Sequence, residues 1–176
     1  MLPDATEYKE LCRDFSWVIP DFYNIGEDIC DKWAVSRPED LALSYVDDRG
    51  AVFEFSFGEL RNQSNRLANH LVATGIERGE RVAILLGQAP ETALSHIAVY
   101  KIGAIAVPMS ALFGVEALLH RLSDSSASLL ITDREGVAKV ASLRAKLPGL
   151  RSILSIDGAT VEAQNYHREI AYCSVD

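Results

Sequence analysis

The sequence has few cysteines and no long apolar run. Its 176 residues contain only Cys12, Cys30 and Cys173, which form no C-x-x-C motif. A small, odd number of cysteines favours a reducing compartment, and the cytoplasm is the predicted location. No apolar stretch approaches the ~18 residues that a membrane helix needs, so no membrane span is predicted. The acidic start, MLPDATEYKE, lacks the apolar core of a signal peptide.

Metal-ligand spacings are also missing. The four histidines are His70, His96, His120 and His167, and none lies at a ligand spacing from another histidine or from a cysteine. We therefore predict no metal site and interpret each histidine as a surface or structural residue.

Several phosphate-binding and catalytic signatures are absent. There is no G-x-S-x-G, no G-x-x-x-x-G-K-[ST] and no G-x-G-x-x-G after a strand. The turn at residues 86–90, LGQAP, has too few free N–H groups to hold a phosphate, which argues against dinucleotide binding. A phosphoacceptor receiver domain needs an acidic pair at the end of its first strand, where this chain has LLGQ. Asp133, which ends a later strand, is therefore interpreted as a helix cap.

Positive charge is in deficit. The chain has 25 acidic and 17 basic side chains, a net charge of −8, which argues against nucleic acid as a partner. The hydrophobic fraction of 48% and the charged fraction of 24% are those of a globular protein with a real core.

The most informative stretch is Arg81–Pro108. Val82–Leu86 is a short branched apolar run, typical of a buried parallel strand. Pro90 then suits the first position of a helix, and Gly103 ends that helix before a second strand at Ile105–Val107, closed by Pro108. This pattern predicts a β-α-β unit with a right-handed crossover.

The flanking sequence extends the pattern in both directions. Before the unit, we predict a helix at 8–17, a helix capped by Asn24 and Glu27, a hairpin of strands 41–46 and 51–55, and a helix opened by the capping box Ser56–Glu59. In the second of these helices, Ile25, Ile29 and Trp33 are predicted to form the apolar stripe. After the unit, we predict helices at 115–122 and 137–147, strands at 129–132 and 153–156, one helix within 161–170, and no terminal strand.

This alternation predicts an α/β fold with a parallel sheet and flanking helices, plus a β-hairpin and N-terminal helices. The expected division is an N-terminal helical appendage at 1–40, an α/β subdomain at 41–158 and a truncated tail at 159–176.

Four segments resemble, in order, those of the AMP-forming acyl-activating enzymes. They are FSFGEL at 55–60, GERVAI at 79–84, YKIGAIAVP at 100–108, and LFGVEAL at 112–118 followed by RLSDS at 121–125. The last is similar to the acyl-CoA synthetase branch in particular. The resemblance covers residues 24–158 and implies the flavodoxin-like half of an acyl-activating enzyme N-terminal domain.

The resemblance implies a ligase of fatty acid metabolism. Such an enzyme joins a carboxylic acid to AMP, releasing pyrophosphate, and CoA then displaces AMP to give a thioester. It implies ATP, Mg and CoA for the parent enzyme. The family's Ser/Thr/Gly-rich loop, its ribose-binding aspartate and its C-terminal lysine do not occur in these 176 residues. We therefore expect an N-terminal part that is inactive alone, with no catalytic residue and no cofactor of its own, and whose partner is the rest of the parent chain.

The resemblance also gives candidates for CoA contacts. In some relatives, the loop after the valine-proline or the segment after the third strand supplies a basic residue to the CoA phosphates. Here the first segment, 109–113, has no basic residue and offers Ser110 and Phe113 as candidates, and the second offers Arg134 and Lys139. The alternatives are packing for Phe113 and a solvated surface for Arg134 and Lys139.

Two other interpretations stay open. One is a stand-alone, non-enzymatic α/β module with a regulatory or oligomerisation role, and the other is an unrelated flavodoxin-like binding domain. A disordered tail at 157–176 would fit an enzyme part, whereas a tail docked on the core would fit a complete module. For an enzyme part, we also expect an exposed apolar face that forms a homodimer.

Overall fold

The computed structural model describes residues 7–176. Its helices are α1 (Tyr8–Asp14), a π-helical turn (Glu27–Asp31) that runs into α2 (Lys32–Ser36), α3 (Phe57–Ala73), α4 (Pro90–Lys101), α5 (Val115–Asp124), α6 (Arg134–Ala141), a 3-10 turn (Arg144–Lys146) and α7 (Tyr166–Ala171). Its strands are β1 (Leu41–Val46), β2 (Val52–Ser56), β3 (Arg81–Leu85), β4 (Ile105–Met109), β5 (Leu129–Thr132), β6 (Ser152–Ser155) and β7 (Gln164–Asn165). The predicted α/β class is confirmed.

Five strands form one parallel sheet in the order β4-β3-β5-β6-β7, and β1 and β2 form a separate antiparallel hairpin. Strand β4 pairs with one edge of β3, and the next strand along the chain, β5, pairs with the other edge of β3. This is the flavodoxin-like order, in which the switch in direction lies at the first strand. The carboxyl ends of β3, β4 and β5 therefore lie at one edge of the sheet.

Both faces of the sheet are covered by helices. Successive side chains of a strand point to opposite faces. Val82 and Ile84 accordingly contribute to the apolar core on the side of α3, α4 and α7, while Ala83 and Leu85 contribute to the core on the side of α5 and α6. Burial on both faces explains why β3 is an uninterrupted apolar run rather than an alternating one.

Helix α4 is buried on two sides. Ala98 and Val99 belong to the core against the sheet, whereas Leu94 and Ile97 belong to a second core that contains Cys30. The N-terminal part of the chain thus forms an extra layer over α4.

The predicted helix caps are confirmed. The side chains of Asn24, Ser56 and Asp133 accept hydrogen bonds from the backbone N–H groups of Glu27, Glu59 and Gly136, at 3.2, 3.3 and 2.7 Å respectively. These caps mark helix starts because a helix's first N–H groups have no partner within the helix.

The predicted apolar stripe of Ile25, Ile29 and Trp33 is wrong for its two isoleucines, while Trp33 is half-buried. Ile25 and Ile29 are exposed, and the buried residues at the same spacing are Gly26, Cys30 and Ala34. The reason is close packing on α4, because a Cβ atom on Gly26 would lie 2.6 Å from Cγ of Lys101. Only small side chains fit this contact, so the larger ones face outward.

Several helix and strand ends also differ from prediction. Helix α1 ends at Asp14 rather than Trp17, and α6 ends at Ala141, before the separate 3-10 turn. Pro108 lies inside β4 instead of closing it. The strand tolerates this proline because β4 is an edge strand. The N–H of Ile105 donates to the carbonyl of Glu80, and backbone N–H groups alternate in direction along a strand. The nitrogen of residue 108 therefore faces the open edge, where no N–H donor is needed.

The prediction of no terminal strand is wrong. Strand β7 pairs in parallel with β6, and Asn165 then caps α7 by accepting from the N–H of Arg168 at 2.9 Å. Tyr166, the first residue of α7, is 1% exposed and belongs to the sheet core. Burial, with a smaller effect of the Glu91 charge, raises the pKa of its phenol, which stays neutral.

Among the described residues, no helix is both long enough and apolar enough to cross a membrane; the longest is α3, with 17 residues. The predicted division at residues 40 and 158 stays a prediction, and its first six residues lie outside the described part of the chain.

Gly136 gives a test of the packing between α6 and the sheet. A Cβ atom there would lie 1.8 Å from Oγ1 of Thr132, whose hydroxyl donates to the carbonyl of Leu85 at 2.8 Å in the core. We expect Gly136→Ala to lower the free energy of unfolding by about 1–2 kcal/mol, because overpacking costs more than the alanine's helix propensity returns. Urea denaturation measures this loss.

The matched control is Gly149→Ala, because a Cβ atom at Gly149 would meet nothing within 4 Å. The double variant Gly136→Ala/Thr132→Ala should lose less stability than the two single losses added together, because the clashing hydroxyl is gone. An unchanged midpoint for Gly136→Ala would contradict the described packing.

His70 gives a test of pH dependence. It is 6% exposed on α3, and its Nε2 has no hydrogen-bond partner among residues 7–176. Burial lowers the pKa of His70 from its ordinary 6.5, and the Glu169 charge opposes this only in part. The unfolded chain therefore takes up a proton at a higher pH than the folded chain does. His70 thus favours folding above about pH 6.5 and loses that contribution as the pH falls through its folded pKa.

We expect wild type to lose more stability than His70→Gln between about pH 7 and about pH 5, because glutamine does not titrate. Chemical denaturation across this range measures the difference. His120→Gln, at an exposed position, is the control and should follow wild type. Parallel profiles for wild type and His70→Gln would show that His70 is not the source.

Candidate functional site

The candidate site is the carboxyl edge of the parallel sheet, defined here by the segments that follow β3, β4, β5 and β6. These are residues 86–89, 110–114, 133–134 and 156–157. In open α/β sheets, ligands bind outside the carboxyl ends of the strands, near the switch in strand order. All four candidate residues lie on or beside this edge.

The loop after β4 is a tight turn. The hydroxyl of Ser110 accepts from the N–H of Leu112 at 3.2 Å, and its carbonyl accepts from the N–H of Phe113 at 3.0 Å. Phe113 is half-buried against the core of α5 and α6, and the guanidinium carbon of Arg121 lies 4.1 Å from its ring centre. Phe113 therefore packs, and it also holds a cation at this edge.

Arg121 was not among the candidate residues. Its side chain is exposed and lies over the loop after β4 although it belongs to the later half of α5. Its spacing in the sequence could have indicated it. Arg121 follows Phe113 by eight residues and is the seventh residue of α5, so it lies about two turns along that helix. The lack of a basic residue in the loop itself is made up by this neighbour.

Lys139 joins α6 to the loop after β4. Its Nζ donates to the carbonyl of Ala111 at 2.7 Å and lies 2.8 Å from Oε1 of Glu135. The hydrogen bond from Lys139 holds the pKa of Glu135 below its usual value. Lys139, Ser110 and Phe113 thus come together around Ala111, and Lys139 is not a free surface cation.

Arg134 has a different contact. Its backbone N–H donates to Oδ2 of Asp157 at 2.8 Å, and its guanidinium donates to the carbonyl of the same residue at 3.3 Å. It therefore faces the segment after β6 rather than the loop after β4. Asp157 and Asp133 accept from the N–H groups of Arg134 and Gly136 in the first turn of α6, and their negative charges disfavour an anion at this helix start.

The carboxyl edge is a shallow surface. The cavity beside Lys139 and Gly136 measures about 10 Å³, far below the ~300 Å³ at which small-molecule pockets begin. Within residues 7–176, no group of three His, Cys, Asp or Glu side chains is placed to hold a metal ion. The edge gathers cations and a hydroxyl, which suit contacts to phosphate groups, beside the carboxylates of Asp133, Glu135 and Asp157, but no nucleophile paired with a base.

The model of the family described as "AMP-binding enzyme" matches residues 30–172. The acyl-coenzyme A synthetase ACSM3 of mouse is 31% identical over 157 residues, which are 86% of this chain but 27% of that protein. The chain thus spans less than a third of the length of the curated relatives that it matches.

Solved structures agree. The anthranilate CoA ligase AuaEII, crystallised with anthranoyl-AMP, superposes with a TM-score of 0.82 at 27% identity and covers 90% of this chain and 30% of its own. The acyl-CoA synthetase of Brucella canis, with a TM-score of 0.84 over 96% of this chain and 32% of its own, is 24% identical and shows the shared fold. Because the family model matches well over half of the residues, the chain belongs to the AMP-binding enzyme family, and it corresponds to an N-terminal segment of the acyl-activating enzymes.

Proposed function

We propose that this chain is the N-terminal part of an ATP-dependent, AMP-forming acyl-CoA synthetase. The parent enzyme converts a carboxylic acid, ATP and CoA into acyl-CoA, AMP and pyrophosphate. The observation that most directly supports this proposal is the match to ACSM3 of mouse. The two sequences are 31% identical over a region that covers 86% of this chain and 27% of that protein. The cytoplasm remains our proposed location.

The chain contributes a scaffold rather than the chemistry. Holding a triphosphate needs a cluster of free N–H groups and a cation. Helix α4 begins with Pro90, which has no N–H, and the first turn of α6 is occupied by Asp133 and Asp157. ATP and Mg therefore belong to other parts of the parent enzyme, and these 176 residues are inactive alone.

We propose the carboxyl edge as the part of this chain that faces CoA. Ser110 supplies an exposed hydroxyl, and Arg121 over Phe113 supplies an exposed cation. Arg134 and Lys139 already bind groups of the protein, and Lys139 is paired with Glu135, so both shape the edge. Arg121 also donates to the carbonyl of Ala117 at 3.3 Å, but its exposed guanidinium is the positive charge that the edge presents. The CoA phosphates are the chemical groups that this charge suits.

A C-terminal segment docked on the core is what a stand-alone module predicts. Strand β7 and helix α7 are docked in this way. The family match, however, extends to residue 172. Docking of this segment is therefore a property of the matched fold itself, and it does not favour the non-enzymatic module.

We expect the chain alone to catalyse no ATP–pyrophosphate exchange above background with any fatty acid, because it lacks the phosphate loop and the catalytic lysine. A chimera in which this chain replaces the matching 27% of mouse ACSM3 should catalyse exchange that depends on the acid. Radiolabelled pyrophosphate incorporation measures both.

The control is ACSM3 without its N-terminal segment, which should be inactive. Exchange by the chain alone would contradict its inactivity. A folded chimera without exchange would instead support a non-enzymatic module.

We propose that a second copy covers the exposed apolar segment at residues 17–25. Trp17, Val18, Ile19 and Phe22 are all at least 80% exposed there. Contiguous apolar surface of this kind favours association. The chain carries a net charge of −8, so two copies repel each other and the contact is weakened.

We expect the wild-type chain to dimerise at high concentration and the variant Trp17→Ser/Phe22→Ser to remain monomeric in sedimentation analysis. Added salt should strengthen the dimer by screening the acidic repulsion. Leu112→Ser is the matched control, because Leu112 is equally exposed but lies at the carboxyl edge of the sheet. A wild-type chain that stays monomeric would contradict this dimer.

A further inference from the structure

Lys101 places a charged group inside the protein. It is the last residue of α4, and its side chain is 9% exposed. Its Nζ lies 2.6 Å from Oδ1 of Asp31 and donates to Oδ1 of Asn65 at 2.5 Å. A buried ammonium must be paired and hydrogen-bonded, so these two partners are fixed by its burial. One partner precedes α2 and the other lies on α3.

On one side, Lys101 holds the helical residues 25–36. Besides the ion pair with Asp31, its carbonyl accepts from Nδ2 of Asn24 at 2.9 Å. Gly26 packs directly on the stem of the lysine. Without Lys101, the half-buried Asp31 carboxylate would lose its counter-charge, which favours release of this helix.

On the other side, Lys101 acts through Asn65 on the segment 171–176. An ammonium can only donate, so it takes the amide oxygen of Asn65 and turns the NH₂ group outward. That NH₂ donates to the carbonyl of Val175 at 2.7 Å. Asn69 adds bonds to the carbonyls of Ser174 and Asp176, both at 3.0 Å.

We propose that Lys101 is a shared latch that holds residues 25–36 and residues 171–176 in place at the same time. Among residues 7–176, the polar contacts that run from Asp31 to Val175 pass through this ammonium and the Asn65 amide. Loss of the lysine therefore loosens both segments, although Arg66 and Asn69 still bind carbonyls of residues 171–176, whereas loss of a bond beyond Asn65 loosens residues 171–176 alone. A conformational change in residues 25–36 thus reaches residues 171–176 through Lys101.

Hydrogen–deuterium exchange, read by mass spectrometry on the full chain, tests the latch. Lys101→Met should speed amide exchange about tenfold in both 25–36 and 171–176, with β3 and β5 unchanged. Asn65→Asp keeps an oxygen for Lys101 but loses the NH₂ donor, so it should speed exchange in 171–176 alone. Lys146→Met, at an exposed lysine, is the charge-matched control and should change neither segment.

The outcomes separate a latch from general destabilisation. Faster exchange in only one segment of Lys101→Met, or an equal rise throughout the sheet, would overturn the proposal. If Lys101→Met does not fold, Lys101→Gln tests the two sides separately, because its amide keeps a donor for Asn65 while the charge that pairs with Asp31 is removed. Faster exchange in 25–36 alone supports the latch, and unchanged exchange in 25–36 or faster exchange in 171–176 overturns it.

Discussion

Strand β3 has no side that faces water, and the rest of the structure follows from this constraint. Its backbone pairs with β4 on one side and β5 on the other, while its side chains enter two separate cores. Both cores need helices, since a parallel sheet with an uncovered apolar face is unstable in water. The crossover α4 covers one face, α5 and α6 cover the other, and the switch of direction at β3 creates the edge at which the loops meet. The matched family and the observed strand order thus describe the same fold.

The second layer over α4 is governed by size and charge. Burial of α4 on both sides leaves no room for large side chains at Gly26 and Cys30, and it encloses the lysine at the end of the helix. The same close approach that requires small residues brings Asp31 to the ammonium of Lys101. A segment that contributes little apolar area to the sheet is therefore held by a few specific contacts.

Much of the fold could be predicted from the sequence because its signals are local. Capping residues and apolar runs such as those at Ser56 and β3 act within a few positions of the chain. The carboxyl-edge rule also places Ser110 and Lys139 at the same edge without knowledge of their contacts. The failures were not local. The buried face of 25–36 depends on how close α4 lies, β7 is only two residues long and gains its pairing from β6, and the contacts of Arg134 with Asp157 depend on strand order.

The polar face of α3 has a consequence for sequence variation. Its amides and guanidinium contact residues 171–176 through main-chain carbonyls, at Ala171, Ser174, Val175 and Asp176. Every amino acid, proline included, carries that carbonyl. Tyr172, by contrast, has a side chain that is 94% exposed. Mutations in this segment should therefore accumulate with little effect on its position, while the asparagines that hold it cannot be exchanged so freely. Divergence in a docked segment and constraint on the helix beneath it are expected together.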